Sequence, residues 1–167
     1  MCGVLGIYSN KDVTKELYYS LYSMQHRGQE SCGLALLDDG EIKYKKDMGL
    51  VGDVFKENEL SKLKGNIGIG HVRYSTAGGS HVSNCQPLVG SCRKRQLAIA
   101  HNGNLVNANY LKDMLEEDGY MFQTNSDTEV ILYILARYYK GDIVESLKVT
   151  MDYIKGAYAL VIMSQEE

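Results

Sequence analysis

The sequence predicts an α+β fold, in which short strands and amphipathic helices follow one another along the chain. An apolar, β-prone run at residues 4–8 leads into residues 12–24, where apolar side chains recur at helical spacing. Two strand-like runs flank Asp38-Asp39-Gly40, whose Asp-Gly step is a strong hairpin signal. Helical spacing returns in three later segments, at 107–117, 128–139 and 143–154.

The first half of the chain is predicted to be mainly strands around one helix. That helix ends before the turn-forming His26-Arg27-Gly28, and its apolar face is formed by Val13, Leu17, Leu21 and Met24. The hairpin joins strands at 34–37 and 42–44. Residues 67–72 and 97–100 are typical of buried strands, and each runs into a polar segment of the kind that commonly contains functional residues.

The second half is predicted to be mainly helical. Either Ser126 or Asp127 is placed to cap the helix at 128–139. After the helix at 143–154, an apolar run at 157–163 returns the chain to a strand.

Composition indicates one globular domain. The chain has 167 residues, of which 44% are hydrophobic and 23% are charged. A chain of this length buries about 70% of the surface that its unfolded form exposes. No apolar run approaches the ~20 residues needed to cross a bilayer, so we expect no membrane association. The start lacks the regions of a secretory signal, so we expect a cytoplasmic location and reduced thiols.

Charge and residue spacing argue against nucleic-acid and metal binding. The net charge is -3 with interspersed signs, which gives no footprint for a polyanion. The short basic clusters at 43–46 and 93–95 are expected at solvated strand edges or turns. The four cysteines form no C-x-x-C pair and the four histidines lack zinc-type spacing, so no metal site is predicted.

Cys2 is a candidate nucleophile because removal of Met1 would make it the first residue. The freed α-amine has a pKa close to that of a thiol, so it can take the thiol proton near neutral pH. Nucleophile and base would then belong to one residue. The alternative is that Cys2 is simply a small, partly buried hydrophobic residue.

Four polar segments lie at the ends of predicted elements, and they read QHRGQES at 25–31, GHVRYSTAG at 70–78, HNGNL at 101–105 and NSDTE at 125–129. Together with Met1-Cys2-Gly3, this set resembles the glutaminase domain of class II glutamine amidotransferases, which are N-terminal nucleophile hydrolases. The resemblance spans essentially the whole chain. Residues 25–31 and 73–78 are most similar to the glutamine phosphoribosylpyrophosphate amidotransferases, and glucosamine-6-phosphate synthases come next.

The resemblance implies a four-layer αββα sandwich that hydrolyses the side-chain amide of glutamine to glutamate and ammonia. The reaction would pass through a thioester on Cys2. The side-chain amide of Asn102 and the backbone N–H of Gly103 would stabilise the oxyanion, as preorganised donors do. Taken in isolation, Asn-Gly favours a type I′ turn between strands, because it is the preferred dipeptide there.

The resemblance also implies three substrate-binding residues. Arg73 would bind the α-carboxylate of glutamine through two parallel hydrogen bonds, and Asp127 would bind its α-ammonium. Thr76 resembles a hydroxyl of the substrate pocket. The alternatives are a surface ion pair for Arg73 and a helix N-cap for Asp127, which can fill both roles.

Supporting roles are expected for residues beside these. Arg27 and Gly28 resemble a motif that supports the nucleophile end. His101 directly precedes the oxyanion pair and is a positioning candidate. We expect His71 to pack or hydrogen-bond locally without a catalytic role, and we assign none to His26.

The family enzyme continues into a phosphoribosyltransferase domain, and no segment of this sequence resembles it. We therefore expect residues 1–167 to form a glutamine amidotransferase type 2 domain that is incomplete at its C-terminus. Its partners would be glutamine and the absent synthase domain or a partner chain, and a homo-oligomer is left open.

The implied function is to supply ammonia for phosphoribosylamine formation in purine synthesis. Glutamine hydrolysis needs no cofactor, and the sequence does not identify any cofactor of the absent region. Two alternatives stay open: the glutaminase domain of another amidotransferase, such as glucosamine-6-phosphate synthase, and a non-catalytic glutamine-binding or regulatory domain.

Overall fold

The computed structural model describes residues 2–74 and 81–165. Its strands are β1 (Gly3–Tyr8), β2 (Ser31–Asp38), β3 (Glu41–Met48), β4 (Ile67–Arg73), β5 (Leu88–Cys92), β6 (Arg95–Leu105) and β7 (Gly156–Ser164). Its α-helices are α1 (Thr14–Ser23), α2 (Val51–Val54), α3 (Glu57–Leu60), α4 (Ala108–Glu117), α5 (Asp127–Tyr138) and α6 (Ile143–Tyr153). Two 3-10 turns span Gln25–Arg27 and Val82–Asn84.

The strands form two antiparallel sheets. The first has the order β1-β4-β2-β3, and the second has the order β5-β6-β7. In the first sheet, Gly3 pairs with Val72 and Ser31 pairs with Arg73. The start of β1 and the end of β4 therefore lie side by side, which places Cys2 next to Arg73.

Three apolar clusters separate four layers. One cluster joins α1, α2 and α3 to the first sheet through residues such as Leu17, Leu21 and Leu34. A second lies between the two sheets and includes Ile69 and Ala100. A third joins the second sheet to α4, α5 and α6. This helix-sheet-sheet-helix order confirms the αββα sandwich that the resemblance implied.

Most predicted elements are present, with bounds that differ by a few residues. The hairpin is confirmed, because Asp39 and Gly40 have φ values of 48° and 78° at the turn between β2 and β3. The sequence did not predict β5 or the short helices α2 and α3. The strand predicted at 97–100 is longer in the structure, since β6 continues to Leu105.

The turn interpretation of Asn102-Gly103 is wrong. Asn102 pairs with Ala159 and Gly103 pairs with Tyr158, so both lie within the β6–β7 ladder. Asn-Gly is common in turns, but here the apolar residues on either side of it are buried by one continuous strand that lies between two layers.

Both basic clusters occupy the predicted kinds of position. Residues 43–46 lie on β3, which is an edge strand of the first sheet. Arg93 and Lys94 form the turn before β6, with φ values of 50° and 68°. Within the described ranges, no helix has both the length and the apolar character required to cross a membrane.

Candidate active site

One cavity is lined by four of the six catalytic and substrate-binding residues named from the sequence. Its volume is about 280 Å³, and its wall includes Cys2, Arg73, Gly103 and Asp127. Cys2 directly precedes β1, and the other three come from the end of β4, the last part of β6 and the N-terminus of α5. Segments distant in sequence are therefore brought to one end of the sandwich.

Chemistry, not size, distinguishes this cavity. Two larger cavities, of about 400 and 510 Å³, lie elsewhere in the molecule. Among the described residues, none of the catalytic or substrate-binding residues expected from the sequence lines either of them. The smaller cavity combines a thiol, a guanidinium and a carboxylate, which together suit an amino acid and a nucleophilic reaction at its side chain.

Cys2 is half-buried at the edge of this cavity. Its Sγ lies 3.6 Å from the carbonyl oxygen of Tyr74. The Nε of Arg27 donates a hydrogen bond of 3.3 Å to the carbonyl oxygen of Cys2. Arg27, which lies in the 3-10 turn after α1, thus fixes the backbone of Cys2 directly before β1.

Gly28 allows that turn to lie directly against β4. A Cβ atom on Gly28 would stand 2.6 Å from the backbone N and C of Arg73, closer than real side chains approach. Gln25 fixes the same turn, because its Nε2 donates to the carbonyl oxygen of Gly28 at 2.6 Å. A glycine at position 28 is therefore required by the close approach of two backbones.

Arg73 is held in an ion pair inside the site. Its Nη1 lies 2.8 Å from Oε1 of Glu30, and the Arg73 side chain is only 8% exposed. The backbone N–H of Glu30 also donates to the carbonyl oxygen of Arg73 at 3.1 Å. The pair is therefore partly buried and anchored at both backbone and side chain, so the alternative of a surface ion pair is wrong.

Asn102 and Gly103 approach the cavity from β6. Because side chains alternate along a strand, Asn102 shares the face of Ala98 and Ala100, which points between the sheets. Gly103 has a φ of 156°, and a Cβ atom there would stand 2.3 Å from the carbonyl oxygen of Ala157. Gly103 lines the cavity, whereas the half-buried Asn102 is not among the described lining residues.

Asp127 is the first residue of α5 and is not its N-cap. Ser126 is the N-cap, because its side chain accepts a hydrogen bond from the N–H of Thr128. The Asp127 carboxylate instead turns to β6: its Oδ2 accepts a 3.0 Å hydrogen bond from the Leu105 N–H. Its Oδ1 lies 3.3 Å from Nδ1 of His101.

These contacts affect the ionisation of Asp127. Burial acts to raise its pKa, but hydrogen bonds from His101 and from backbone N–H groups outweigh burial and lower the pKa overall. The carboxylate is therefore ionised at neutral pH and presents a negative charge opposite Arg73 in the same cavity.

Comparison with known proteins agrees with this geometry. The sequence profile of a family described as "Glutamine amidotransferase domain" matches residues 71–167, which is more than half of the chain. The chain belongs to this family.

Two curated relatives of this glutamine amidotransferase domain have the same name. Amidophosphoribosyltransferase from Methanocaldococcus jannaschii is 49% identical over 98% of the chain, and its counterpart from Bacillus subtilis is 46% identical over 99%. The chain spans only 36% and 35% of these two relatives.

Two solved structures superpose closely on almost the whole of this chain. A structure titled as the allosteric regulatory enzyme of purine biosynthesis superposes with a TM-score of 0.92 and 44% identity, covering 99% of this chain and 36% of that one. Glutamine phosphoribosylpyrophosphate amidotransferase from B. subtilis, complexed with ADP and GMP, superposes with a TM-score of 0.90 and 43% identity. That match covers 99% of this chain and 35% of the other.

One buried residue that connects two elements of this amidotransferase domain, Gln86, was not predicted from the sequence. The Oε1 of Gln86 accepts from the N–H of His101 at 2.7 Å, and its Nε2 donates to Oγ1 of Thr128 at 3.0 Å. Gln86 also lines the cavity, so it ties β6 to α5 at the cavity wall. No local pattern marks it, because a lone glutamine before a proline is equally typical of a surface turn.

His71 and His26 are not among the described residues that line the cavity, whereas His101 is. His71 is fully buried, and its Nε2 lies 3.1 Å from the carbonyl oxygen of His101. Burial lowers the pKa of His71 to about 3, so it is neutral at physiological pH. His26 lies outside the cavity, with Nδ1 3.0 Å from the carbonyl oxygen of Ser23. Thr76 lies outside the described residues.

Proposed function

We propose that this domain hydrolyses the side-chain amide of glutamine to glutamate and ammonia, with Cys2 as the nucleophile. The observation that carries the proposal is the convergence of Cys2, Arg73, Gly103 and Asp127 on one cavity. Membership of the glutamine amidotransferase family supports the same reaction.

The proposed reaction begins with removal of Met1, which frees the α-amine of Cys2. The amine takes the thiol proton, and the thiolate attacks the amide carbon of glutamine. The carbonyl oxygen becomes an oxyanion, which the Asn102 side chain and the Gly103 N–H stabilise. The intermediate collapses to a thioester as the protonated amine gives its proton to the departing ammonia. Water then hydrolyses the thioester to glutamate and frees the thiol.

Arg27 and Gly28 support this reaction by holding its starting geometry. The hydrogen bond from Arg27 to the Cys2 carbonyl fixes the residue that contains both nucleophile and base. Gly28 keeps the same turn in contact with Arg73. Neither residue exchanges a proton in the scheme.

Substrate recognition follows from the two opposite charges in the cavity. Arg73 binds the α-carboxylate of glutamine, and Asp127 binds its α-ammonium. Glu30 orients the Arg73 guanidinium, and the Leu105 N–H orients the Asp127 carboxylate. Thr76 supplies a further hydroxyl to the substrate pocket in this proposal.

For the complete protein, we infer a role in purine synthesis, in which the released ammonia is used to form phosphoribosylamine. The shared name of the relatives supports this acceptor over glucosamine-6-phosphate. Residues 1–167 would then be the glutaminase domain, and a synthase domain or partner chain would use the ammonia. A cytoplasmic location stays a prediction, since an Arabidopsis thaliana relative is named as chloroplastic.

Intact mass before and after treatment with 6-diazo-5-oxo-norleucine tests the proposal. We expect loss of Met1 and one adduct, with labelling slowed by excess glutamine. Cys92 provides a matched control, because it is also a half-buried free thiol. Cys92→Ser should label like the parent chain, whereas Cys2→Ser should not label. A processed chain that neither labels nor releases ammonia from glutamine would refute glutamine hydrolysis.

A further inference from the structure

Glu129 is a buried carboxylate that supports one wall of the cavity without lining it. It is 5% exposed in the first turn of α5. Its Oε2 accepts from the N–H and the hydroxyl of Thr124, both at 2.7 Å. Its Oε1 accepts from the N–H of Gln123 at 3.0 Å and from the hydroxyl of Tyr133 at 3.0 Å. Burial and the contact with Glu129 raise the pKa of Tyr133 to about 12.

This arrangement differs from an ordinary capping box. Ser126 and Glu129 have the S-x-x-E spacing in which the glutamate normally accepts from the N-cap N–H. Here the carboxylate reaches further back along the chain, to Gln123 and Thr124. The Ser126 N–H instead donates to Oγ1 of Thr124 at 3.1 Å. The Thr124 hydroxyl therefore links Glu129 to the N-cap.

The segment enclosed by these bonds forms a wall of the cavity. Asn125, Ser126 and Asp127 are consecutive residues, and all three line it. They lie between Thr124, which the Glu129 carboxylate holds, and the helical turn that contains Glu129 itself. A displacement of this segment would move the Asp127 carboxylate relative to Arg73.

We propose that Glu129 and Thr124 are positioning residues for substrate recognition, which fix the Asn125–Asp127 wall so that Asp127 meets the α-ammonium of glutamine. This inference rests on the proposed glutamine hydrolysis. Neither residue touches the substrate or the reacting atoms. Their effect is exerted on glutamine binding, so it falls on KM more than on kcat.

A purely structural role would have a different outcome. A carboxylate in the first turn also stabilises a helix through its dipole, wherever the helix lies. Loss of that effect would lower the melting temperature without changing KM. The test must therefore remove the link to Ser126 while leaving the Glu129 charge in place.

Thr124→Val is the decisive variant. It keeps the side-chain shape and the N–H donor to Glu129, but it removes both the hydroxyl donor to Glu129 and the acceptor for the Ser126 N–H. Thr124→Ser keeps the hydroxyl. Thr150→Val is the matched control, because the Thr150 hydroxyl is also buried and donates to the Ser146 carbonyl within α6, away from the cavity. Steady-state ammonia release from glutamine gives KM and kcat, and thermal unfolding confirms that each variant is folded.

We expect Thr124→Val to raise KM for glutamine about tenfold with kcat within about threefold. Thr124→Ser should bring KM back to within about twofold of the parent chain, and Thr150→Val should leave KM unchanged. Glu129→Gln, which loses one acceptor oxygen, should shift KM in the same direction. An unchanged KM in folded Thr124→Val, with an active parent chain, would overturn the positioning role alone. A parent chain without glutaminase activity would instead overturn the proposed function on which it rests.

Discussion

Gly28→Ala tests whether the close contact between the backbones of Gly28 and Arg73 is needed to position Cys2. Gly28 has an extended φ of -158°, so alanine causes no backbone strain there. The added methyl would lie 2.6 Å from the backbone N and C of Arg73, about 0.8 Å short of the 3.4 Å at which ordinary contact begins. Backbone atoms cannot rotate away as a side chain can, so the turn or β4 must move.

The expected cost follows from that overlap. Over-packing a buried site costs about 1–3 kcal/mol, and we expect the upper end because the neighbours are backbone. For a chain of this size, about 3 kcal/mol corresponds to a fall in melting temperature of roughly 6–12 °C. Because the displaced turn also contains Arg27, labelling of Cys2 by 6-diazo-5-oxo-norleucine should slow.

Urea unfolding followed by circular dichroism measures the change in free energy, and intact mass measures the labelling. Gly52→Ala is the control, since its methyl would lie 3.6 Å from a ring carbon of Tyr22, at ordinary contact distance. We expect Gly52→Ala to unfold within about 0.5 kcal/mol of the parent chain, as surface changes usually do. A Gly28→Ala chain with parental stability would refute the reasoning.

Three further variants test the site and its ionisation. Asn102→Ala should lower kcat for glutamine hydrolysis about 100- to 1000-fold with little change in melting temperature, and near-normal turnover would contradict the oxyanion role. Asp127→Asn should raise KM for glutamine. The pKa of Asp127 is lower in the folded chain than in the unfolded chain, so its ionised carboxylate stabilises the fold at any pH above the unfolded-state pKa. This stabilisation is lost as the pH falls through the folded-state pKa. Urea titrations below about pH 4 should therefore show a shallower acid-side decline in Asp127→Asn, and an identical decline would count against this account. The pKa of His71 is lowered to about 3, so the unfolded chain binds its proton first as pH falls from about 6.5. Between about pH 3 and about pH 6.5, the free energy of unfolding should rise with pH, and it should rise less in His71→Gln. Equal slopes of unfolding free energy against pH in the two chains would exclude His71 as the source of this pH dependence.

Much of the local structure was predictable because it depends on neighbouring residues. The apolar spacing of α1 and α5 is enough to define amphipathic helices, and the Asp39-Gly40 step defines its hairpin. The missed elements lack such signals. The helices α2 and α3 have four residues each, which is too short for helical periodicity to be visible.

The candidate site was predictable in its residues but not in its contacts. Cys2 and the four polar segments identified the family from sequence alone. Which residues contact one another within the site could be seen only in the fold. Glu30 and Arg73 are 43 residues apart in the sequence, and Leu105 and Asp127 are 22 apart. The turn alternative for Asn102-Gly103 failed for this reason, because it rested on local propensity. The surface ion pair for Arg73 failed because the fold buries its side chain.

The sequence by itself determined the chemistry that the chain can offer: a thiol that can become N-terminal, a guanidinium, a carboxylate and an Asn-Gly pair. The tertiary structure decided where these groups meet. Pairing of β1 with β4 places Cys2 beside Arg73, and packing of α5 against β6 brings Asp127 to the same cavity. The physical reason is that periodicity and propensity act over a few residues, whereas strand pairing and burial between layers join segments that are far apart in the chain.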